Sequence, residues 1–319
     1  MPASAERLLA ASPPDASRAV AALRARGELW ESAPGLIGLR GDALALFRGI
    51  ERALAQVAAN DDGGRGAEEW MVPAALSLET LERSHYFASF PQWLTLASHL
   101  RDDPAALERV AASDRPADSA RASLAPADAA LPPAVCYHAY AALAGRTLPA
   151  PALVTAQGTC WRHEGDRLRP LARGWAFTMR ETVCLGDAHT VRDFADRAAA
   201  RALAFAESLG LAPRLAEASD PFFAPTARGR ALLQRVKALK HELLLPLGGG
   251  EEIAAASVNR HERFFGEAFD IQLASGEPAS GACVAFGVER WMLAVLAAHG
   301  PDARGWPHAV RSAHEENPG

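Results

Sequence analysis

No glycine-rich GxxxxGKS/T loop occurs in the 319 residues, so a bound nucleotide would have to be held by side chains rather than by a backbone cradle. No apolar run approaches the roughly 18 residues that a membrane-spanning helix needs. The N-terminus, MPASAERLLAASPPDASRAV, lacks a basic start followed by an apolar stretch, so it does not read as a secretory signal and a cytoplasmic protein is expected. A basic excess is missing too: the formal net charge is -5, which argues against general affinity for nucleic acid. The four cysteines, Cys136, Cys160, Cys184 and Cys283, are widely spread and form no CxxC pair. In a reducing compartment such cysteines are expected to be buried small residues or metal ligands rather than disulfides. What is present is apolar content, 49%, enough for one large core or two modest ones.

Apolar residues recur at helical spacing over 17–31 and over 42–59 (Leu44, Leu46, Phe47, Ile50, Leu54, Val57). DDGGRG breaks the pattern at 61–66, EEWMVP reads as a short strand ending near Pro73, and 76–86 reads as helix. Residues 102–133, rich in Ala, Asp, Pro and Ser, read as a mobile insertion with one short helix. LVTAQGTCWRHE and GWAFTMRETVCLG read as antiparallel strands joined by the charged loop GDRLRPLARG. A long helix is expected over 190–209 and an amphipathic one over about 228–237, carrying Arg230, Arg235 and Lys237. HELLLPL, EEIAAASVN and AFDIQLA read as further strands, 248–250 as a turn, and the last helix starts near Val288. There is no internal repeat. The layout predicts an α+β domain, an antiparallel sheet flanked by helices, over 41–319, with residues 1–40 as an N-terminal helical extension.

Arg162 and Glu164 lie in TCWRHEG at the end of the first hairpin strand. Phe177, on the returning strand, has the parity of Met179 and Glu181. Arg290 follows GACVAFG and opens the last helix. Two guanidiniums can hold a triphosphate while an aromatic face holds a purine, so the set reads as an ATP site. Arg162 is the candidate for the α-phosphate and a substrate carboxylate, Arg290 for the γ-phosphate, and Glu164 for the exocyclic amine of adenine. Singly, these residues read more readily as a surface Arg–Glu pair and a core phenylalanine. Their order along the chain favours the site.

EEWMVP with Pro73, Arg162-His163-Glu164 and Gly287-Val288-Glu289-Arg290 follow the order of the three motifs of class II aminoacyl-tRNA synthetases, and the chain resembles that family over about 40–319. FFGEAFDI followed by GACVAFGVERW resembles its zinc-dependent seryl branch, and within that branch the shortened amino acid:[carrier protein] ligases. The stretch ahead of EEWMVP is short and not markedly basic, where a seryl-tRNA synthetase of this branch carries a tRNA-binding domain. The resemblance implies activation of glycine or alanine with ATP and transfer to the phosphopantetheine thiol of a carrier protein, with neither tRNA nor a membrane as an expected partner.

It also implies a set of residue roles. Cys136, Glu181 and Cys283 match the Cys, Glu and Cys ligands of a Zn²⁺ site, which leaves Cys160 and Cys184 as packing residues. Ser257 and Asn259 match positions that bind amino acid or Mg²⁺. Ala254, Ala255 and Ala256 replace the usual acidic Mg²⁺ ligand, for which Glu242 and Glu252 are either substitutes or solvated strand charges; Arg173 could reach the triphosphate or be solvated. His163 and His261 read as polar surface residues. The basic face of Arg230, Arg235, Lys237 and Lys240, within 204–247, is the expected carrier-docking segment, and Pro73 with its strand the expected contact of a homodimer. Two alternatives stay open at this level: a synthetase that charges tRNA with the help of a separate tRNA-binding partner, and a non-catalytic paralogue.

Overall fold

The computed structural model describes residues 15–60, 66–218, 220 and 239–311. In chain order, the first part comprises α1 (Ala16–Ala25), β1 (Leu29–Ala33), β2 (Leu36–Leu39), α2 (Gly41–Ala59), β3 (Glu68–Met71), β4 (Leu76–Ser77), α3 (Leu78–Arg83) and α4 (Tyr86–Ser89). Next come β5 (Leu96–Ala97), α5 (Pro104–Ala111), α6 (Pro116–Ala122), β6 (Ala129–Ala130), α7 (Cys136–Ala142) and β7 (Thr147–Leu148). The remainder is β8 (Ala152–Trp161), β9 (Ala176–Gly186), α8 (Ala188–Ser208), β10 (Arg214–Glu217), β11 (Lys240–Gly248), β12 (Glu251–Glu262), α9 (Phe264–Ala268), β13 (Gln272–Leu273), β14 (Ser280–Gly287) and α10 (Val288–His299).

A seven-stranded sheet in the order β10-β11-β12-β14-β9-β8-β3 organises the molecule. All its pairs are antiparallel except β3 with β8. Side-chain alternation gives the sheet two unlike faces. On β14, Ala282, Val284 and Phe286 join the main core with α2, α8 and α10, while Cys283 and Ala285 face the other way into a cavity. The helices lie close because their contact residues are small. α8 buries Ala195, Ala198, Ala202 and Ala206, and α10 is buried from Val288 to Ala297 apart from Arg290. Gly49 of α2 is required by such an approach, since a Cβ there would sit 1.9 Å from the Val310 carbonyl oxygen.

Several elements differ from expectation. Residues 29–31 are in β1, not the end of a helix: α1 stops at Ala25 and Gly27, at φ +67°, turns the chain into a β1–β2 hairpin. This N-terminal unit packs into the main core through Ala19, Leu23 and Leu29. In 76–86, Ser77 belongs to β4 and caps α3 by accepting from the Thr80 N–H, and His85 at φ +54° separates α3 from α4. Residues 102–133 contain two helices, not one, and β6, which forms a small sheet with β4 and β5; Asp103 and Pro104, read as loop composition, cap and start α5. The segment 268–274 is mostly not strand. α9 ends at Ala268, and Phe269 and Ile271 turn inward onto the cluster around Tyr140. The helix expected over 228–237, with Arg230, Arg235 and Lys237, lies outside the described residues. Within 204–247 the described parts are the end of α8, β10 and β11, and Lys240 is a buried residue of β11 rather than part of a basic helical face.

Candidate active site

The β8–β9 hairpin supports one wall of the cavity. Arg162 follows β8 and is tied back across the hairpin by its N–H, which donates to the Trp175 carbonyl at 2.9 Å. Its guanidinium lies over two rings, 5.2 Å from the centroid of Trp93 and 5.4 Å from that of Phe177, and Nε donates to the Pro133 carbonyl at 2.9 Å. These contacts fix a planar fork at the cavity wall. Glu164 is buried and pairs with Arg173 from the hairpin loop, so Arg173 belongs to the site. Arg290 arrives from the first turn of α10, where Nε donates to the Ala172 carbonyl and Nη1 to the Ala254 carbonyl, each at 2.9 Å. Burial, then Arg162 and Arg173, pull Arg290 down to about 10, which leaves it protonated near neutrality. Beside it, Glu289 accepts the Thr178 N–H with both carboxylate oxygens at 2.9 Å, locking α10 to β9.

On the opposite side, the buried Lys240 ammonium donates to Asp220 at 2.6 Å and pairs with Glu242 at 3.0 Å. Burial works against its charge, but Asp220 and Glu242 outweigh that and hold it above the ordinary lysine value. Glu252 is not part of this cluster; it is exposed at the far end of β12 and pairs with Arg214 at 2.6 Å.

Deeper in the cavity, Cys136, Glu181 and Cys283 are all buried, with one ligand atom from each within 4.8 Å of the others; they are the one such group found among the described residues. Glu181, on β9, accepts the N–H of Val135 at 2.8 Å and of Cys136 at 3.1 Å, which ties the start of α7 to the sheet. Cys283, on β14, has two further polar contacts, Asn259 Nδ2 at 3.6 Å and His261 Nε2 at 3.4 Å. Burial, then Cys283, raises Glu181 to about 7. Hydrogen bonding to Cys136 holds the Cys283 thiol well below its usual value, with His261 and Asn259 adding to the effect. Two sulfurs and a carboxylate, buried and mutually repulsive when ionised, fit a divalent cation of borderline softness such as zinc and leave a fourth tetrahedral position for another ligand.

One cavity is lined by Arg162, Glu164, Phe177 and Arg290 together with Glu181, Cys136, Cys283, Ser257, Asn259 and Glu242. Cys160 and Cys184 are buried elsewhere, Cys160 with Val135 and Met179 and Cys184 in the helix-side core. Residues that the sequence reading did not assign to the site also line the cavity: Trp93, Asp220, Lys240 and Glu289. His261 departs from its expected surface role, because it touches a cysteine of the three-residue group. The quoted GVER motif already contains Glu289, whereas nothing in the local pattern marks Trp93 or Asp220.

The sheet, the helices on one face and the cavity on the other define a class II aminoacyl-tRNA synthetase-like fold. The fold matches seryl-tRNA synthetase of M. kandleri, solved in complex with A. aeolicus tRNASec, at a TM-score of 0.82 and 22% identity over 97% of this chain and 61% of that one. It also matches Pyrococcus horikoshii seryl-tRNA synthetase complexed with ATP, at 0.66 and 14% over 94% of this chain and 62% of that one. The chain thus spans about three fifths of those synthetases. No family model matches. Amino acid–[acyl-carrier-protein] ligase 1 of Bradyrhizobium diazoefficiens is 38% identical over 271 residues, covering 84% of this chain and 82% of that protein. The chain belongs to the amino acid–[acyl-carrier-protein] ligase family and is a ligase.

Proposed function

We propose that the protein joins ATP and a small amino acid, glycine or alanine, as an aminoacyl-adenylate and passes the aminoacyl group to the phosphopantetheine thiol of a carrier protein. The observation that carries this reading is one cavity shared by two guanidiniums and a Cys–Glu–Cys group. The name of the B. diazoefficiens relative supports the acceptor, and the ATP-bound P. horikoshii enzyme supports the nucleotide.

In the first step a carboxylate oxygen of the amino acid attacks the α-phosphorus of ATP and the bond to pyrophosphate breaks. Arg162 meets the charge that builds on the α-phosphate, and Arg290 holds the γ-phosphate. Phe177 offers a ring to adenine, and Glu164 accepts from its exocyclic amine. Cys136, Glu181 and Cys283 would hold Zn²⁺, which would supply a Lewis-acid position for the α-amino group. Ser257 and Asn259 contact the amino acid, and with Asn259 and His261 packed against Cys283 the space beside the group suits a small side chain. Glu242, paired with Lys240 at 3.0 Å, is the cavity carboxylate that would take Mg²⁺ on ATP.

In the second step the acceptor sulfur attacks the carbonyl carbon, the thiol proton passes to water, a thioester forms and AMP leaves. A second cavity shares Phe90, Tyr137, Asp220 and His261 with the first and gives the arm a route to the cavity; Arg192 and Arg263 on its lining suit the phosphate of the arm. The segment with Arg230, Arg235 and Lys237 is assigned to carrier docking, and the protein to a homodimer through β3. The test is ATP–pyrophosphate exchange with a panel of amino acids, followed by transfer to holo-carrier, apo-carrier and tRNA. Exchange with glycine or alanine and labelling of holo-carrier alone are expected. Absence of exchange with every amino acid in zinc-replete protein would sink the reading, and tRNA charging at the holo-carrier rate would replace the acceptor.

A further inference from the structure

We infer that His261 and Asn259 are positioning residues that hold Cys283 as the metal-binding thiolate through side-chain hydrogen bonds. The inference rests on the zinc reading above and adds residues to it. Asn259 stands directly opposite Cys283 in the β12–β14 register, so both side chains leave the sheet on the same face. Its Nδ2 lies 3.6 Å from the sulfur and 3.2 Å from Ser257 Oγ, which sets the orientation of the amide.

His261 gets there by a different device. Arg260 pairs with Ala282 and Glu262 with the next residue, Gly281, so His261 is the extra residue of a β-bulge. Glu262 completes the bulge at φ +51°, a conformation an L-residue adopts at a cost. Bulges re-aim side chains, and this one delivers Nε2 to 3.4 Å from Cys283 Sγ. The ring is clamped edge-on by Phe265, at 4.8 Å between centroids, and by Tyr140, at 6.2 Å. A clamped imidazole cannot swing away to solvent, so its bond to the sulfur is held by packing as well as by polarity.

Among the described residues the polar neighbours of Cys136 are Cys283 and Glu181, with no comparable side-chain amide or imidazole. The two sulfurs therefore differ in electronic character. Hydrogen bonds to a metal-bound thiolate draw charge from sulfur and fix its direction, and outer contacts of this kind are worth about 10–100-fold in metal affinity.

The experiment measures metal binding directly, without the ligase reaction. Wild type, His261→Phe, His261→Gln and Asn259→Leu are compared by zinc competition against a chromophoric chelator and by the thiolate-to-cobalt charge-transfer band of the Co²⁺-substituted proteins. Phe keeps the ring packing without a donor and Gln keeps a donor. His261→Phe is expected to weaken zinc by about 10–100-fold and move the cobalt band to lower energy, His261→Gln to recover most of both, and Asn259→Leu to give the same changes at smaller size. Unchanged affinity and band in His261→Phe, or in Asn259→Leu where the Phe variant does not fold, overturns the inference while the zinc reading stands. Wild type that binds no zinc overturns both.

Discussion

Arg162 is held between a carbonyl and two aromatic rings, so its fork is in place before any ligand arrives. Arg162→Ala is expected to lower kcat/KM for ATP–pyrophosphate exchange by about 10²–10³-fold with metal content unchanged, the size of losing one preorganised donor to a developing anion. Elemental analysis beside the exchange assay checks both halves. Glu289 gives a pH signature. Burial lifts it from 4.5 to about 7, so the folded chain binds this proton more tightly than the unfolded one. Its contribution is complete below about pH 4.5 and is lost as pH rises through about 7, a change of about 3 kcal/mol. Glu289→Gln keeps an acceptor for the Thr178 N–H and should flatten the fall in stability between pH 5 and 8, read from urea melts. Glu181 shifts the same way when no metal is bound, so both proteins must be compared in one metal state.

Elements were legible where the pattern reports a buried face. β8 and β9 are strand-length runs on either side of a charged loop, and α2 and α8 carry apolar residues at helical spacing, so their spans follow from the sequence. The segment 268–274 looks like a strand because it is apolar, yet its apolar residues fill the pocket around Tyr140 from a turn. In 102–133 alanine, proline and aspartate read as a mobile insertion with one short helix, whereas there are two helices, the first begun by Asp103 and Pro104. The site divides the same way. The arginine motifs are local strings, whereas Cys136, Glu181 and Cys283 come from α7, β9 and β14, and only the β9–β14 pairing brings two of them together. No local spacing encodes that convergence. The close seat of α2 yields an element-scale prediction: Gly49→Ala must push Val310 away, because its Cβ would overlap that carbonyl. Overpacking of this kind costs about 1–3 kcal/mol. A lower denaturation midpoint with an unchanged slope is the expected result, and a gain in stability from the better helix former would refute the packing account.

For the whole molecule, the edge of the main sheet matters most. Among the described residues β3 is the last strand of the main sheet, joined only to β8, and Met71 at its end is 99% exposed. An outer strand with a bare apolar side chain is a liability unless something covers it. Glu69 holds the buried Arg180 at 2.8 Å, so the strand is also anchored to β9, next to Glu181. A two-fold partner against β3 would cover Met71 and stiffen the strand that braces the hairpin carrying Glu181. In such an interface each substitution appears twice, so Met71→Glu would set two carboxylates into one apolar contact. Sedimentation is expected to show a dimer for wild type and a dissociation constant raised by about 100-fold or more for Met71→Glu. A wild-type monomer, or a variant that associates as tightly as wild type, would remove β3 from the interface. If the partner braces the hairpin, zinc retention should fall on dilution below the dissociation constant, linking assembly to the metal site by mass action.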